Sequence, residues 1–109
     1  MANRWNIPKW LEQEVKARDQ ACIYCGIRFG SRNAPRKERL SWEHIVNDVR
    51  IVTLQNIALC CIGCNASKGA KSLAAWLLSA YCRERAITMD SVAAVARASL
   101  EPLSSEVVP

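Results

Sequence analysis

The chain lacks long hydrophobic runs and has only one histidine and one phenylalanine. Its longest apolar run is a few residues, whereas a membrane-spanning helix needs about 20, so we expect no membrane span. The first ten residues, MANRWNIPKW, lack the apolar stretch of a secretory signal. We therefore expect a cytoplasmic protein, and in that compartment cysteines bind metal more often than they form disulfides.

Internal repeats and breaks in composition are also absent, which argues against a second domain. The 109 residues are half hydrophobic and 23% charged, as in globular rather than disordered chains. We predict one domain over residues 1–109, with a core limited by its size.

The positive charge is concentrated in the middle of the chain. Residues 22–71 hold eight basic and three acidic side chains, a net charge of +5, whereas the segments before and after carry +1 and −1. A basic excess often serves only solubility. An excess confined to a segment that contains two cysteine pairs favours a polyanion such as nucleic acid.

The order of the predicted elements indicates an α+β fold. Pro8 and the apolar spacing after it predict a helix from Asn6 or Ile7 to about Asp19. We interpret Trp5 and Trp10 as core residues, or as residues packed against the zinc site, rather than as surfaces for base stacking. The next predicted elements are a basic loop at 29–39 (FGSRNAPRKER), a strand at 40–46 (LSWEHIV) and a second extended or partly irregular element at 51–59 (IVTLQNIAL).

The last third of the chain is predicted to be helical. Ser72 caps a predicted helix over residues 72–85, and Thr88 or Asp90 opens a last helix that Pro102 closes. The resulting boundaries are a motif core at 22–71, a helical extension at 72–102 and a frayed tail at 103–109.

Four of the six cysteines form two Cys-x-x-Cys pairs, namely Cys22 with Cys25 and Cys61 with Cys64. Two such pairs hold a tetrahedral structural Zn²⁺ in many small domains. Only Cys61 has the required spacing to Cys64, so we interpret Cys60 and Cys82 as buried apolar residues. Zinc binding would supply much of the folding energy of so short a chain.

The segment between the pairs is unusually long. It holds 35 residues, 26–60, whereas a plain zinc ribbon has about 15–20. It contains the basic loop, the predicted strand and His44, the only histidine. A lone histidine is usually an ordinary core or surface residue. Because four cysteines complete a zinc site, His44 is available for another role.

The residues around His44 and the second cysteine pair resemble the HNH endonuclease family. The resemblance rests on WEHIV at 42–46, on Asn56 and on CIGCNASKG at 61–69. It is to the zinc-stabilised branch, whose pattern is an acidic residue and His, a later Asn, and then Cys-x-x-Cys-Asn-x-x-Lys-Gly. It covers residues 22–71. It implies a small ββα-metal core with a four-cysteine zinc site, flanked here by one N-terminal helix and two C-terminal helices.

By position, the resemblance implies that His44 is a general base, that Asn56 braces the loop between the strands and that Asn65 ligates a catalytic cation. Glu43 stands where the family usually has Asp or His as the other ligand, and it keeps an oxygen donor. Such ligands suit Mg²⁺ or Mn²⁺. Adjacent residues on an ideal strand point to opposite faces, so Glu43 and His44 need a twist or bulge to act together.

The polar, small-residue run at 64–68 predicts a short helix that ends at Gly69. The predicted nucleic-acid-binding residues are basic side chains in or next to this helix and the 29–39 loop. Lys68 lies one turn after Asn65 on the same face and could hold a phosphate oxygen. Phosphate contacts position a nucleic acid without specifying its sequence. The full set is Arg28, Arg32, Arg36, Lys37, Arg39, Lys68 and Lys71.

These features predict a divalent-metal-dependent DNA endonuclease of weak sequence specificity, nicking DNA or cutting both strands. The resemblance implies products with 5′-phosphate and 3′-hydroxyl ends. The alternative is a catalytically silent zinc module that binds nucleic acid or protein. RNA is a weaker candidate substrate because no aromatic stacking platform is evident. A monomer that buries its C-terminal helices on its own core is the simpler expectation, and a homodimer through those helices is the alternative.

Overall fold

The computed structural model describes residues 6–30 and 33–100. Within these residues the chain forms five α-helices, one 3-10 turn and a two-stranded antiparallel sheet, which confirms the predicted α+β class. The elements are α1 (Lys9–Arg18), the 3-10 turn (Arg36–Glu38), β1 (Leu40–His44), β2 (Ile57–Cys61), α2 (Ile62–Lys68), α3 (Leu73–Leu77), α4 (Ala80–Glu84) and α5 (Ala94–Ser99). No helix of this described part is long and apolar enough to cross a bilayer.

β1 and β2 form a hairpin closed by a long loop, residues 45–56. The strands pair without interruption from Leu40 opposite Cys61 to His44 opposite Ile57. α2 begins at the residue after β2, so the central part of the chain has the order strand, strand, helix. This order places the second cysteine pair across the junction of β2 and α2.

The second strand starts later than predicted. The element expected over residues 51–59, extended or partly irregular, is irregular as far as Asn56 and becomes strand at Ile57. Its predicted end is wrong, because β2 continues to Cys61. The carbonyl of Thr53 accepts hydrogen bonds from the backbone N–H groups of Asn56 (3.0 Å) and Ile57 (2.8 Å). This turn uses backbone groups that a strand would present to its neighbour.

β2 is buried on both faces, so the hairpin separates two apolar clusters. On one face, Ile57 and Leu59 pack with Ile7, Leu11 and Val15 of the N-terminal segment. On the other face, Ala58 and Cys60 belong to a larger cluster that includes Tyr24, Trp76 and Val92. The first cysteine pair and the C-terminal helices lie on this second side.

α1 confirms the predicted N-terminal helix and follows Pro8 directly. Leu11 and Val15, four residues apart, are its fully buried side chains. Trp10 is 61% exposed, so its interpretation as a core residue is wrong. Leu11, about 100° further around the helix, takes the position that faces the sheet. Trp5 lies outside the described residues.

The predicted helix over residues 72–85 is two helices, α3 and α4. Ser72 caps α3 as predicted, since its Oγ accepts a hydrogen bond from Ala75 N–H (3.2 Å). Ser79 has extended backbone angles and caps α4 in the same way, with its Oγ accepting from Cys82 N–H (3.3 Å). A serine side chain can bond the local backbone in this way and so compete with continuous helix.

The last helix also starts later than predicted. Thr88 and Ser91 bond each other reciprocally, each backbone N–H donating to the other hydroxyl (2.8 and 3.1 Å). The chain then runs past the first cysteine pair, where Ala93 N–H donates to Ile23 O (2.8 Å), and α5 begins at Ala94. Pro102 and the predicted tail lie outside the described residues.

Candidate functional site

Four cysteine sulfurs converge where the hairpin meets α2. The Sγ atoms of Cys22, Cys25, Cys61 and Cys64 all lie within 4.8 Å of one another, and those of Cys25 and Cys61 are 3.7 Å apart. A tetrahedral zinc with bonds of about 2.3 Å separates its sulfurs by about 3.8 Å, so these four could hold a zinc ion. Gly26 closes the first pair with a φ of 82°, the left-handed conformation that glycine adopts without strain.

Backbone N–H groups point at the sulfurs within each pair. Cys22 Sγ accepts from the N–H groups of Tyr24 and Cys25, both at 3.4 Å. Cys61 Sγ accepts from Cys64 N–H, also at 3.4 Å. These bonds follow from the tight turn of each Cys-x-x-Cys segment, and they favour the thiolate form that binds metal.

The four sulfurs do not titrate independently. Hydrogen bonds from the thiols of Cys25, Cys61 and Cys64 hold the pKa of Cys22 well below its ordinary value. The same contacts with Cys22 raise the pKa of Cys61 and of Cys64. Neighbouring thiols cannot all ionise unless a cation lies between them, and a zinc ion would supply that cation.

The other two cysteines lie apart from this cluster. Cys60 and Cys82 are fully buried. Burial raises the pKa of each thiol, so both are neutral and unreactive at pH 7. Their interpretation as buried apolar residues is confirmed.

Glu43 lies in a buried polar network on the side of the sheet that carries the larger apolar cluster. Its Oε2 accepts from the Tyr24 hydroxyl at 2.7 Å and lies 3.2 Å from Lys68 Nζ. Lys68 Nζ also donates to Ile45 O at 2.9 Å. Burial raises the pKa of Glu43, although Lys68 and Tyr24 act in the opposite direction. The network ties the first cysteine pair, β1 and α2 together.

Lys68 therefore does not lie at a nucleic-acid surface, and that prediction is wrong. Its side chain is 1% exposed, and its ammonium is held by the Glu43 carboxylate and the Ile45 carbonyl. Lys68 and Asn65 do share a helix face, as their spacing predicted, but that face is turned towards β1.

His44 is the last residue of β1 and is 6% exposed. Burial lowers its pKa, while the nearby Asp48 carboxylate acts in the opposite direction, so the imidazole is neutral at pH 7. It pairs with Ile57, whereas Glu43 pairs with Ala58. Because the ladder has no bulge, the two side chains lie on opposite faces of β1, and the distortion expected between them is not found.

Asn56 braces the loop that follows His44. Its Oδ1 accepts from Val46 N–H at 2.7 Å, and its Nδ2 donates to the carbonyls of Val46 and Ile51, both at 3.1 Å. The side chain is 4% exposed. One buried amide thus fixes both ends of a turn within the 45–56 loop, which is the bracing predicted for this residue.

Asn65 joins α2 to β1. Its Nδ2 donates to Ser41 Oγ and to Trp42 O, both at 3.1 Å, so the side chain lies beside the peptide that precedes Glu43. These two bonds use the amide nitrogen. The amide oxygen is the atom of Asn65 that could ligate a cation.

The remaining basic residues lie at the surface. Three members of the predicted basic loop are exposed in the described part, namely Arg36, Lys37 and Arg39, and so are Arg28 and Lys71. Part of this loop forms the 3-10 turn, which contacts α2, and the carbonyl of Arg39 accepts from Ile62 N–H at 2.9 Å. The basic surface therefore adjoins the second cysteine pair. Arg32 lies outside the described residues.

Two tyrosines belong to the site but were not predicted as site residues. Tyr24 bonds Glu43, and the Tyr81 hydroxyl donates to Cys64 Sγ at 3.3 Å. Tyr24 stands between two cysteines, which could have drawn attention to it. Tyr81 is 17 residues beyond Cys64, and its sequence signal is only that of an apolar helix face.

Comparisons of this chain with protein-family models, with curated protein sequences and with solved structures find no match.

Proposed function

We propose that this protein is a divalent-metal-dependent endonuclease of the HNH type that hydrolyses DNA phosphodiester bonds. The observation that supports the proposal best is the Asn56 side chain, which braces the loop after His44 inside a strand–strand–helix unit. The HNH resemblance assigns His44 as the base and Asn56 as the residue that braces the loop between the strands. The three hydrogen bonds of Asn56 are the contacts by which its side chain would hold that loop.

The donor chemistry at Glu43 and Asn65 suits a hard divalent cation. A carboxylate and an amide oxygen, from two elements in direct contact, are ligands that Mg²⁺ and Mn²⁺ prefer. The Lys68 ammonium now occupies this place, 3.2 Å from Glu43 Oε2 and donating to Ile45 O at 2.9 Å. A divalent cation at Glu43 would take the place of this ammonium.

His44 supplies the base in this proposal. Its neutral imidazole accepts a proton from the attacking water, and Asn56 positions the backbone immediately after it. A bound divalent cation supplies Lewis-acid stabilisation of the phosphate and of the leaving oxygen. Exposed basic residues such as Arg36 and Lys37 bind backbone phosphates, which gives affinity with weak sequence specificity.

The proposal requires a change at the end of β1 when substrate binds. His44 is 6% exposed and lies on the opposite face of β1 from Glu43. Catalysis by the pair therefore needs the 45–56 loop to move so that the imidazole reaches water. In this loop the side chains of Val46 and Val49 are 49% and 60% exposed, whereas Ile45 and Asn56 are buried, so the movement would have to occur around the backbone that Asn56 holds.

One observation favours a second function, a catalytically silent zinc module that binds nucleic acid or protein. The Glu43 carboxylate is engaged by Lys68 and Tyr24 inside the protein, as in a purely structural ion pair. Such a module would keep the zinc and the basic surface but would not hydrolyse DNA.

Plasmid cleavage separates the two functions. Zinc-loaded protein is freed of other divalent cations on a chelating resin and incubated with supercoiled DNA, with and without Mg²⁺ or Mn²⁺. Zinc content is measured after each step, because a strong chelator would also strip the cysteines. The nuclease proposal predicts nicked or linear DNA only with added Mg²⁺ or Mn²⁺. Intact plasmid under all conditions, with zinc retained and DNA bound, would support the silent module.

A further inference from the structure

Tyr81 brings a hydroxyl group from the C-terminal helices to the cysteine cluster. This residue lies on α4, in the extension that the HNH resemblance does not cover, and its hydroxyl lies 3.3 Å from Cys64 Sγ. Cys64 is fully buried, so bulk water does not reach its sulfur. The phenol is thus placed where it can donate to one of the four candidate zinc ligands.

The Tyr81 ring is held in this position by its neighbours. The Arg85 guanidinium lies over the ring, 3.7 Å from its centroid, and Arg85 also donates to Tyr81 O at 3.1 Å. The Trp76 ring lies on another side at a centroid distance of 5.8 Å. The Arg85 guanidinium and the Trp76 ring thus restrict the orientation of the Tyr81 ring and of its hydroxyl.

Gly63, between the two cysteines of the second pair, allows this close approach. A Cβ atom at Gly63 would lie 3.4 Å from the Tyr81 hydroxyl and 3.3 Å from the carbonyl of Lys37. The contact with the Lys37 carbonyl would be tight and the contact with the phenol would be close to ordinary van der Waals distance, so a side chain at this position would crowd the 3-10 turn and touch the Tyr81 hydroxyl. The second cysteine pair therefore leaves room for the tyrosine.

In a zinc site built from four cysteines, this contact would stabilise negative charge on the Cys64 sulfur. Four thiolates around Zn²⁺ carry a net charge of about −2 in a buried site, and hydrogen bonds to sulfur disperse that charge. Backbone N–H groups donate hydrogen bonds to the sulfurs of Cys22 and Cys61. The Tyr81 hydroxyl donates one to the sulfur of Cys64.

We propose that Tyr81 is a hydrogen-bond donor to the Cys64 thiolate that strengthens zinc binding and couples the folding of α3 and α4 to the metal. The inference concerns the zinc site alone and does not depend on nuclease activity. Partners that orient metal ligands typically contribute about 10–100-fold in metal affinity, and Tyr81→Phe removes only the donating oxygen.

The test uses the full chain with zinc, and with Co²⁺ in its place. Chelator competition measures the zinc Kd, and the thiolate-to-Co²⁺ charge-transfer band reports the electron density on sulfur. Tyr81→Phe should raise the zinc Kd by about 10–100-fold and move the band to lower energy, because the sulfur loses a donor. Tyr24→Phe is the matched control: it removes a buried hydroxyl bonded to Glu43, and should leave the band in place.

The energy of the charge-transfer band distinguishes the loss of a hydrogen bond to sulfur from a general loss of protein stability. An equal rise in Kd for both variants with unchanged bands would overturn the proposal, and so would a Tyr81→Phe protein identical to wild type. If Tyr81→Phe does not fold, 3-fluorotyrosine at position 81 keeps the ring and donates more strongly. It should move the band to higher energy, and an unmoved band would again overturn the proposal.

Discussion

The cysteine cluster and the end of β1 lie on the same hairpin, yet their donor groups are arranged differently. At the cluster, four sulfurs face one another within 4.8 Å, with backbone and tyrosine donors behind them. At the end of β1, the Glu43 carboxylate already binds the Lys68 ammonium and the Tyr24 hydroxyl, and His44 lies on the other face of the strand. The first region could hold a zinc ion as it stands, whereas in the second the place proposed for a divalent cation is occupied by the chain's own ammonium.

This difference has a physical basis in the residues themselves. Thiolates within one cluster repel one another and gain nothing from closeness without a metal. A carboxylate beside a lysine is satisfied by the chain alone. The cysteine cluster therefore needs a metal to be stable as thiolates, while the Glu43 network is stable without one.

Removing one cysteine of the cluster should have the largest effect. Cys61→Ala should lose stoichiometric zinc and the cooperative unfolding transition, because structural zinc supplies on the order of 10 kcal/mol to small domains. Cys60→Ala, the adjacent control, should keep one zinc per chain at a cost of about 1 kcal/mol. Elemental analysis and thermal unfolding measure both. Equal zinc loss in the two variants would contradict the assignment of ligands.

Breaking the Glu43–Lys68 pair should have the next largest effect. Lys68→Met leaves a buried carboxylate without its ammonium and should cost about 3–5 kcal/mol. Lys71→Met, at an exposed lysine three residues later, should change the free energy of unfolding by at most about 0.5 kcal/mol. Denaturant unfolding compares the two. Adding Glu43→Leu to Lys68→Met should recover much of the stability, and no recovery would mean that the ion pair is not the cause.

Substitution of Asn56 tests whether its side chain braces the 45–56 loop between the two strands. Asn56→Ala leaves buried backbone groups of Val46 and Ile51 without their partner and should cost about 1–3 kcal/mol. Zinc content should not change, but cleavage should be abolished, because the loop no longer positions His44. Gln55→Ala, at the exposed neighbour, should leave both unfolding and cleavage as in wild type. A fully active Asn56→Ala protein would remove the bracing role.

Substitutions on the basic surface should change the free energy of unfolding least, but they should clearly weaken DNA binding. Replacing Arg32, Arg36 and Lys37 by Ala should weaken binding to every DNA sequence similarly. The slope of log K against log salt should fall by about 0.9 for each phosphate that the variant no longer neutralises. The same slope measured for Lys9→Ala with Arg83→Ala, at exposed sites elsewhere, should match wild type. An unchanged slope in the triple variant would place the DNA on another surface.

The features that were best predicted from the sequence depend on short spacings. Each Cys-x-x-Cys turn and the cap at Ser72 follow from the residues within one turn of chain. The break at Ser79 does not, because serine is tolerated inside helices and only its capping bond with Cys82 reveals the end. The late start of β2 likewise depends on a turn at Thr53 that competes with the strand pattern.

The residues of the candidate site likewise differ in whether a local sequence pattern could predict their contacts. Asn56 could be assigned its bracing role from the family pattern, and the hydrogen bonds agree. The spacing placed Lys68 on the face of Asn65 but could not tell whether that face meets solvent or β1. The contact of Tyr81 with Cys64 joins residues 17 apart through the docking of α4, and no local pattern encodes it.

The central claim is that His44 activates the attacking water, and its removal tests that claim most directly. His44→Ala, Gln55→Ala and wild type are compared in plasmid cleavage with Mg²⁺, at matched zinc content and matched DNA affinity. A positioned general base contributes about 10²–10⁴-fold to kcat, so His44→Ala should lose activity within that range while Gln55→Ala keeps it. Cleavage by His44→Ala at the wild-type rate would contradict the assignment of His44 as the base.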